Sequence, residues 1–419
     1  MYETTKLQNG AQIIYAPLDG TKAMNILVMF PVGSRYETEK MSGVSHYVEH
    51  LMFKGTKKRP TTQKLTREID RLGAGYNAYT GKEYTGYYIT VDAKYSETAI
   101  DIVSDMLFNS LFDAKEMERE KTVIVEELRM YRDNPLMNID NVFEELLYDG
   151  CPLGRDIGGT EKHVMNYVRD DVLAYRDKYY HPRNMVVVVS GAIDEQTKKY
   201  IHEYIGSAST KGSVSKTFKP YCFGQSKKSD RIRVEKKETD QVQLMLGFPG
   251  FHYRDTRLPA EAVMNTIFGG SMSSRLFIQV RERRGLAYMI RSGGEAFRDT
   301  GYSYVRAGLE AKNINKAIDV IHKEMEKIVQ KGVSKKELID AKTHIRGAFT
   351  LGMEDAASQS RWYAQQHLFM DTIHTPEEYV DMIDAVSHDD VMHVAKQLFN
   401  WNNIRVAVIG NVDSKKIVY

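Results

Sequence analysis

The chain has 419 residues, with 58 lysines and arginines against 56 aspartates and glutamates, and a formal net charge of +2. That balance excludes a polyanion or nucleic-acid binder working by bulk charge, which needs a basic excess. Hydrophobic residues at 42% and charged residues at 27% describe a globular chain, and the length exceeds one ordinary core, so two or three domains are expected.

The first stretch, MYETTKLQNGAQIIYAPLDG, lacks a basic segment followed by an apolar one. No apolar run approaches the roughly 18 residues of a membrane span, so a soluble cytoplasmic protein without a membrane partner is expected. An apolar strand then ends at Phe30-Pro31, and GVSHYVEHLMF reads as an amphipathic helix. Lys57-Lys58-Arg59 reads as a solvated basic run. LGAGYNAYTGKEYTGYYITV predicts two strands about a turn at Thr80-Gly81-Lys82. Helical runs follow from Ala99 and Lys115, and Asp133-Asn134-Pro135 stops the second. Thr160-Glu161 opens a further turn, and Met185–Val189 is a closing strand. Residues 206–230, rich in Ser, Gly and Lys, read as an exposed, partly extended linker. Cys151 and Cys222 belong to no CxxC motif and are expected as free thiols. No GxxxxGK[ST] loop is present, so a nucleotide cofactor has no support.

Beyond the linker the same order returns. Phe30 falls on Phe248, Ala99 on Ala317, Lys115 on Lys336 and Asp170 on Asp389, at offsets of 218, 218, 221 and 219. Ser387 with Asp390 resembles a capping box, and Ile404–Ile409 repeats the closing strand. Four matches in one order indicate a duplication. The expected fold is α+β: homologous domains at 1–205 and 231–419, each a largely antiparallel sheet with helices packed on one face.

The predicted helix near residue 46 carries His46, Glu49 and His50 as HxxEH. Residues four apart share a helix face, so both imidazoles can reach one ion while Glu49 stands beside it to accept a proton from water. Two exposed histidines on a structural helix are the bland alternative. A third ligand is sought in EMEREKTVIVEEL, where Glu120 and Glu127 lie two turns apart on one face. Glu127 would be the inner ligand and Glu120 the carboxylate that orients a histidine ring; composition alone leaves Glu116, Glu118 and Glu126 in play. The duplication separates them. It sets Glu261 against His46, Met264 against Glu49, Asn265 against His50, Ala341 against Glu120 and Ala348 against Glu127, while Phe53/Phe268, Lys121/Lys342 and Thr122/Thr343 recur. One copy is equipped for metal chemistry and the other is not.

HYVEHLMFKGT, the Glu120/Glu127 pair, PLGRDIGGT at 152–160 and the doubled layout together resemble the inverted-zincin peptidases of the pitrilysin, insulin-degrading enzyme and mitochondrial processing peptidase family. The resemblance implies a zinc endopeptidase with one zinc ion per chain on His46, His50 and Glu127, Glu49 as general base and Glu120 in support. It also implies that Arg281 and Tyr288, in SRLFIQVRERRGLAYMI, assist substrate binding and the transition state. An extended peptide or small unfolded protein would lie along the strand with Asn77, Ala78 and Tyr79 nearest the scissile bond. Long family members close a chamber with four such units; two units imply a dimer, a homodimer being the economical form and a heterodimer the other. A noncatalytic scaffold or assembly subunit of the same fold is the alternative function, and manganese or cobalt could take the same ligands.

Overall fold

The computed structural model describes residues 2–209, 218, 220, 221, 223 and 227–419. Most of the 206–230 linker, Cys222 included, lies outside the described residues; Cys151 is a free, partly buried thiol.

Apolar runs in each repeat become the central strands of a sheet. The first repeat supplies β1 (Glu3–Lys6), β2 (Gln12–Pro17), β3 (Ala23–Phe30), β4 (Gly75–Thr80), β5 (Thr85–Asp92) and β6 (Val186–Gly191), in spatial order β1-β2-β6-β3-β5-β4. Its helices are α1 (Val44–Leu51), α2 (Thr62–Asp70), α3 (Ser96–Asn109), α4 (Ala114–Asp133), α5 (Pro135–Leu147), α6 (Glu161–Met165), α7 (Arg169–Tyr179) and α8 (Glu195–Tyr200). The second repeat supplies β7 (Ile232–Glu235), β8 (Val242–Pro249), β9 (Ala287–Ala296), β10 (Gly301–Leu309) and β11 (Arg405–Ile409), in order β7-β11-β8-β10-β9. Its helices are α9 (Leu258–Phe268), α10 (Ile314–Lys331), α11 (Lys335–Met353), α12 (Ala356–Phe369), α13 (Pro376–Ala385) and α14 (His388–Leu398). The orders superpose, β2-β6-β3-β5-β4 on β7-β11-β8-β10-β9, and in both sheets only the β2/β6 or β7/β11 pair is parallel. The fold is α+β with two homologous, largely antiparallel sheets.

One face of the first sheet packs on its own repeat. Ile26, Val28 and Phe30 of β3 meet Val44, Tyr47 and Val48 of α1 and Ile100 and Val103 of α3 in one core. The predicted punctuation holds: the Asn134 side chain caps α5 with Pro135 in its first turn, and Ser387 and Asp390 form a reciprocal capping box on α14.

The other face is covered by a helix from the other repeat. Tyr363 and Ala364 of α12 join Ile14, Ala16, Leu27, Met29, Val186 and Val188 in a separate cluster. Ser190 Oγ donates to Ala356 O at 2.5 Å and lies 2.6 Å from Ser360 Oγ. In the same way, Ile139, Val142 and Phe143 of α5 pack with Met245, Ala407 and Ile409 of the second sheet. By packing, Leu351–Thr375 belongs to the first compact unit and Met130–Gly154 to the second, so the units cut across the contiguous spans 1–205 and 231–419 that mark the repeats.

The basic run after α1 departs from expectation. Arg59 is 6% exposed and pairs with Glu68, Asp101 and Asp105, because the chain folds it back over α2 and α3. Lys58 remains solvated and bonds Asp101 from outside.

Because Tyr363 is buried in unit 1, Tyr363→Ala should destabilise the protein by about 3–5 kcal/mol, the usual cost of truncating a large buried aromatic. Hydrogen exchange should report lost protection in β2, β3 and β6, although the substitution lies in the second repeat.

Candidate metal centre

Helix α1 begins at Gly43, whose φ of +94° is open to glycine at little cost. A Cβ at Gly43 would stand 2.3 Å from the carbonyl oxygen of Gly158, so glycine is also required by close approach. The free N–H groups of the first turn find a buried carboxylate: Gly43 N and Ser45 N donate to the two oxygens of Glu37, both at 2.7 Å. Burial pushes the Glu37 pKa up to about 7, against the hydrogen bonds that favour its charged form. Tyr47 OH donates to Met117 O at 2.7 Å and ties α1 to α4.

This fixes the histidine face of α1 against the acidic face of α4. His46 Nε2 and His50 Nε2 stand 3.2 Å apart, and Glu127 Oε2 lies 3.8 Å from the first and 3.4 Å from the second. The three donor atoms lie within 4.8 Å of one another, and no other group of three such residues does so among the described residues. A tetrahedral ion with bonds of about 2.0–2.1 Å holds its donors about 3.3 Å apart, so the set fits zinc. Glu120 Oε1 accepts from His50 Nδ1 at 2.8 Å, which leaves the Nε2 lone pair facing the centre, and Lys54 Nζ holds Glu120 Oε2 at 2.6 Å. Two imidazole nitrogens and a carboxylate turned to one point repel unless a cation or a proton lies between them.

The same convergence favours a proton on His50. Burial opposes charging of His50, but hydrogen bonds to Glu120 and Glu127 outweigh it and raise its pKa to about 9. Burial first, and the His50 charge second, lower His46 to about 4. The His50 hydrogen bond is the first cause holding Glu127 below the usual carboxylate range. Glu120 is also lowered: burial acts to raise it, and the bonds from His50 and Lys54 prevail.

Glu49 projects beside the cluster, its pKa raised by burial and opposed by a hydrogen bond from Thr80 Oγ1 at 2.5 Å. β4 forms the edge of the first sheet and, among the described residues, pairs with β5 alone. Ala78 is buried in the core shared with α1, whereas Tyr79 turns to the opposite face and packs on Tyr84 and Tyr88. Asn77 is spent locally, its Oδ1 accepting from Ala78 N at 2.9 Å.

Arg281 and Tyr288 lie in the second unit and beside each other. Arg281 lies in the last turn of the π-helical segment Phe277–Glu282, its guanidinium 5.4 Å from the Tyr288 ring centroid. Tyr288, on β9, is 72% exposed, so a core role is closed to it. Sequence reasoning passed over Lys54, Thr80 and Glu37. The first two carried a periodic signal: Lys54 follows His50 by one helical turn, and Thr80 shares the Ala78 face of a strand.

The doubled α+β fold and a two-histidine, one-carboxylate centre with an adjacent glutamate define a class of metallopeptidase-like proteins. Residues 13–161 match the insulinase family, peptidase family M16, and residues 166–345 match the peptidase M16 inactive domain. The uncharacterized zinc protease YmxG of Bacillus subtilis is 33% identical over 392 residues, covering 94% of each chain. An uncharacterized zinc protease of Streptomyces coelicolor is 31% identical over 415 residues, covering 98% of this chain and 90% of that one. Among solved structures, a protease from Helicobacter pylori has a TM-score of 0.89 at 21% identity, covering 98% of this chain and 99% of the other. A Pseudomonas fluorescens structure described as a peptidase M16 inactive domain also reaches 0.89, at 18% identity and 98% coverage of both. The chain belongs to peptidase family M16.

Glu120→Gln should lower zinc affinity by about 10–100-fold, measured by competition with a chelating dye. A second expectation concerns pH. With its pKa raised from 6.5 to about 9, His50 gives the metal-free protein stability that is full below pH 6.5 and lost as the pH rises through about 9. Melting temperatures across that window should fall for the metal-free protein and lack this dependence once zinc displaces the proton.

Proposed function

We propose that this chain is a zinc-dependent endopeptidase that hydrolyses extended peptides or small unfolded proteins. The observation that carries this reading is the convergence of His46, His50 and Glu127 on one point with Glu49 on the same helix. His46, His50 and Glu127 would hold the ion, which when bound supplies Lewis acidity that acidifies a water and polarises the scissile carbonyl. Glu49 would accept a proton from the attacking water and return it to the departing amine. Burial keeps Glu49 more basic than an exposed carboxylate, which suits a group that must first accept and then donate. Glu120 and Lys54 hold the His50 ring in place.

The substrate is proposed to pair as an added strand along the open edge of β4, past Asn77, Ala78 and Tyr79, with affinity from backbone hydrogen bonds. Arg281 and Tyr288 are proposed to grip a substrate carbonyl and to donate to the oxyanion, a role supported by the exposure of Tyr288. We further propose a homodimer that encloses the substrate, in the cytoplasm. Native mass measurement of the zinc-loaded protein tests the dimer.

Glu49→Gln should retain zinc and lose peptide cleavage by about 10²–10⁴-fold, measured on a peptide library with and without chelator. Unchanged cleavage by that variant would defeat the mechanism. Tyr288→Phe should lower turnover by about 10²-fold with zinc content unchanged; full activity would remove Tyr288 from the chemistry.

A further inference from the structure

The Glu49 carboxylate makes a single hydrogen bond among the described residues, and its donor is Thr80. A glutamate carboxyl rotates about a soft terminal torsion, so with no partner its oxygens would sweep a range of directions. Here the Thr80 hydroxyl, 2.5 Å from Oε2, sets the carboxyl plane and leaves Oε1 as the open acceptor. Thr80 can do this because strand alternation puts it on the Ala78 face, toward α1, and because a β-branched side chain has few rotamers to choose from.

The donor itself is held firmly. Thr80 is the last residue of β4 and pairs with Thr85 of β5; Gly81 N donates to Tyr84 O at 2.7 Å and closes the turn behind it. Thr85 Oγ1 in turn donates to Val32 O at 2.9 Å. On the reverse face Tyr79 packs under the Arg361 guanidinium, 5.4 Å from its ring centroid, so α12 backs the strand. The hydroxyl that aims Glu49 therefore belongs to the same edge strand whose outer side is unpaired.

We propose that Thr80 is a positioning residue that ties the orientation of the general base to the β4 edge, so that one strand both receives an extended peptide and aims Glu49. This rests on the reading of Glu49 as the base. An error of about 1 Å in the placement of a reacting group costs about 10²-fold in rate, which is the scale expected when the tie is cut.

The test uses the full-length, zinc-loaded protein with Thr80→Val, which keeps the shape and removes the donor, and Thr80→Ser, which keeps the donor and removes the methyl group. On a cleavable peptide, Thr80→Val should lower kcat by about 10²-fold with KM within about twofold, and Thr80→Ser should recover most of the loss. Wild-type kcat in Thr80→Val, or a change in KM alone, would overturn the proposal. So would a Thr80→Ser variant as slow as Thr80→Val, since packing of the methyl group would then be the cause. A second measurement needs no catalysis: unfolding midpoints of the metal-free wild type, Thr80→Val, Glu49→Ala and the double variant. The proposal expects the two shifts not to add, and additive shifts overturn it. If wild-type protein cleaves no peptide while the cycle shows coupling, the endopeptidase reading fails and the Thr80 to Glu49 tie stands.

Discussion

Everything in the metal centre depends on holding one face of α1 against one face of α4 to within a few tenths of an ångström. The cluster itself opposes this, since two imidazole nitrogens and a carboxylate oxygen are brought together with lone pairs inward. The counterforce comes from groups outside the cluster. Glu37 fastens the N-terminus of α1 by its two free N–H groups, Tyr47 fastens its middle to Met117 of α4, and Glu120 fixes the tautomer of His50. The contacts of Glu37 and Tyr47 lie in the buried interior, where a hydrogen bond left unmade is costly, and that of Glu120 is partly buried. The site is preorganised by the fold: its three donor groups converge through contacts made outside the cluster.

The second repeat keeps the frame and drops the ligands. Glu261 and Asn265 stand one turn apart on α9, as His46 and His50 do on α1, yet both are buried and neither Glu261 Oε1 nor Asn265 Oδ1 has a hydrogen-bond partner among the described residues. Burial pushes Glu261 up to about 7, so much of it is uncharged at neutral pH. The corresponding helix on the second sheet thus lacks the two imidazoles, and Ala341 and Ala348 stand at the positions equivalent to Glu120 and Glu127. The duplication conserved the architecture because strand order and core volume constrain it; the ligands were free to change because the core does not need them.

The strands and the shared face of His46 and His50 were legible from sequence because each rests on local periodicity, whereas choosing Glu127, which the fold brings to them, needed the long-range duplication. Burial of β3 and β6 follows from the apolar runs 26–30 and 185–189, and the i, i+4 spacing of the histidines puts them on one face without tertiary information. The exchange of α5 and α12 was not legible. Periodicity states that a helix has an inward face and leaves open which sheet that face meets. For α12 even this signal is weak, since its inward side is built from Ala356, Ser360, Tyr363 and Ala364, small or polar residues that allow close approach to β6. Arg59 was misread as solvated for the same reason: its charge is local, but the three carboxylates that justify its burial come from α2 and α3. Thr80 was passed over because its partner is a side chain 31 positions earlier.

The helix exchange also imposes an order on biosynthesis. A chain leaving the ribosome presents His46, His50, Glu49 and Glu127 early, but the reverse face of the sheet that includes β4 stays bare until residues 351–375 emerge. Residues 135–147 meanwhile wait for the second sheet, whose strand β11 (Arg405–Ile409) is made long after them. Neither half can complete its core before the other exists. The helix that carries His46, Glu49 and His50 is thus made early, while the full packing of the sheet beneath it waits for a helix encoded more than two hundred residues later.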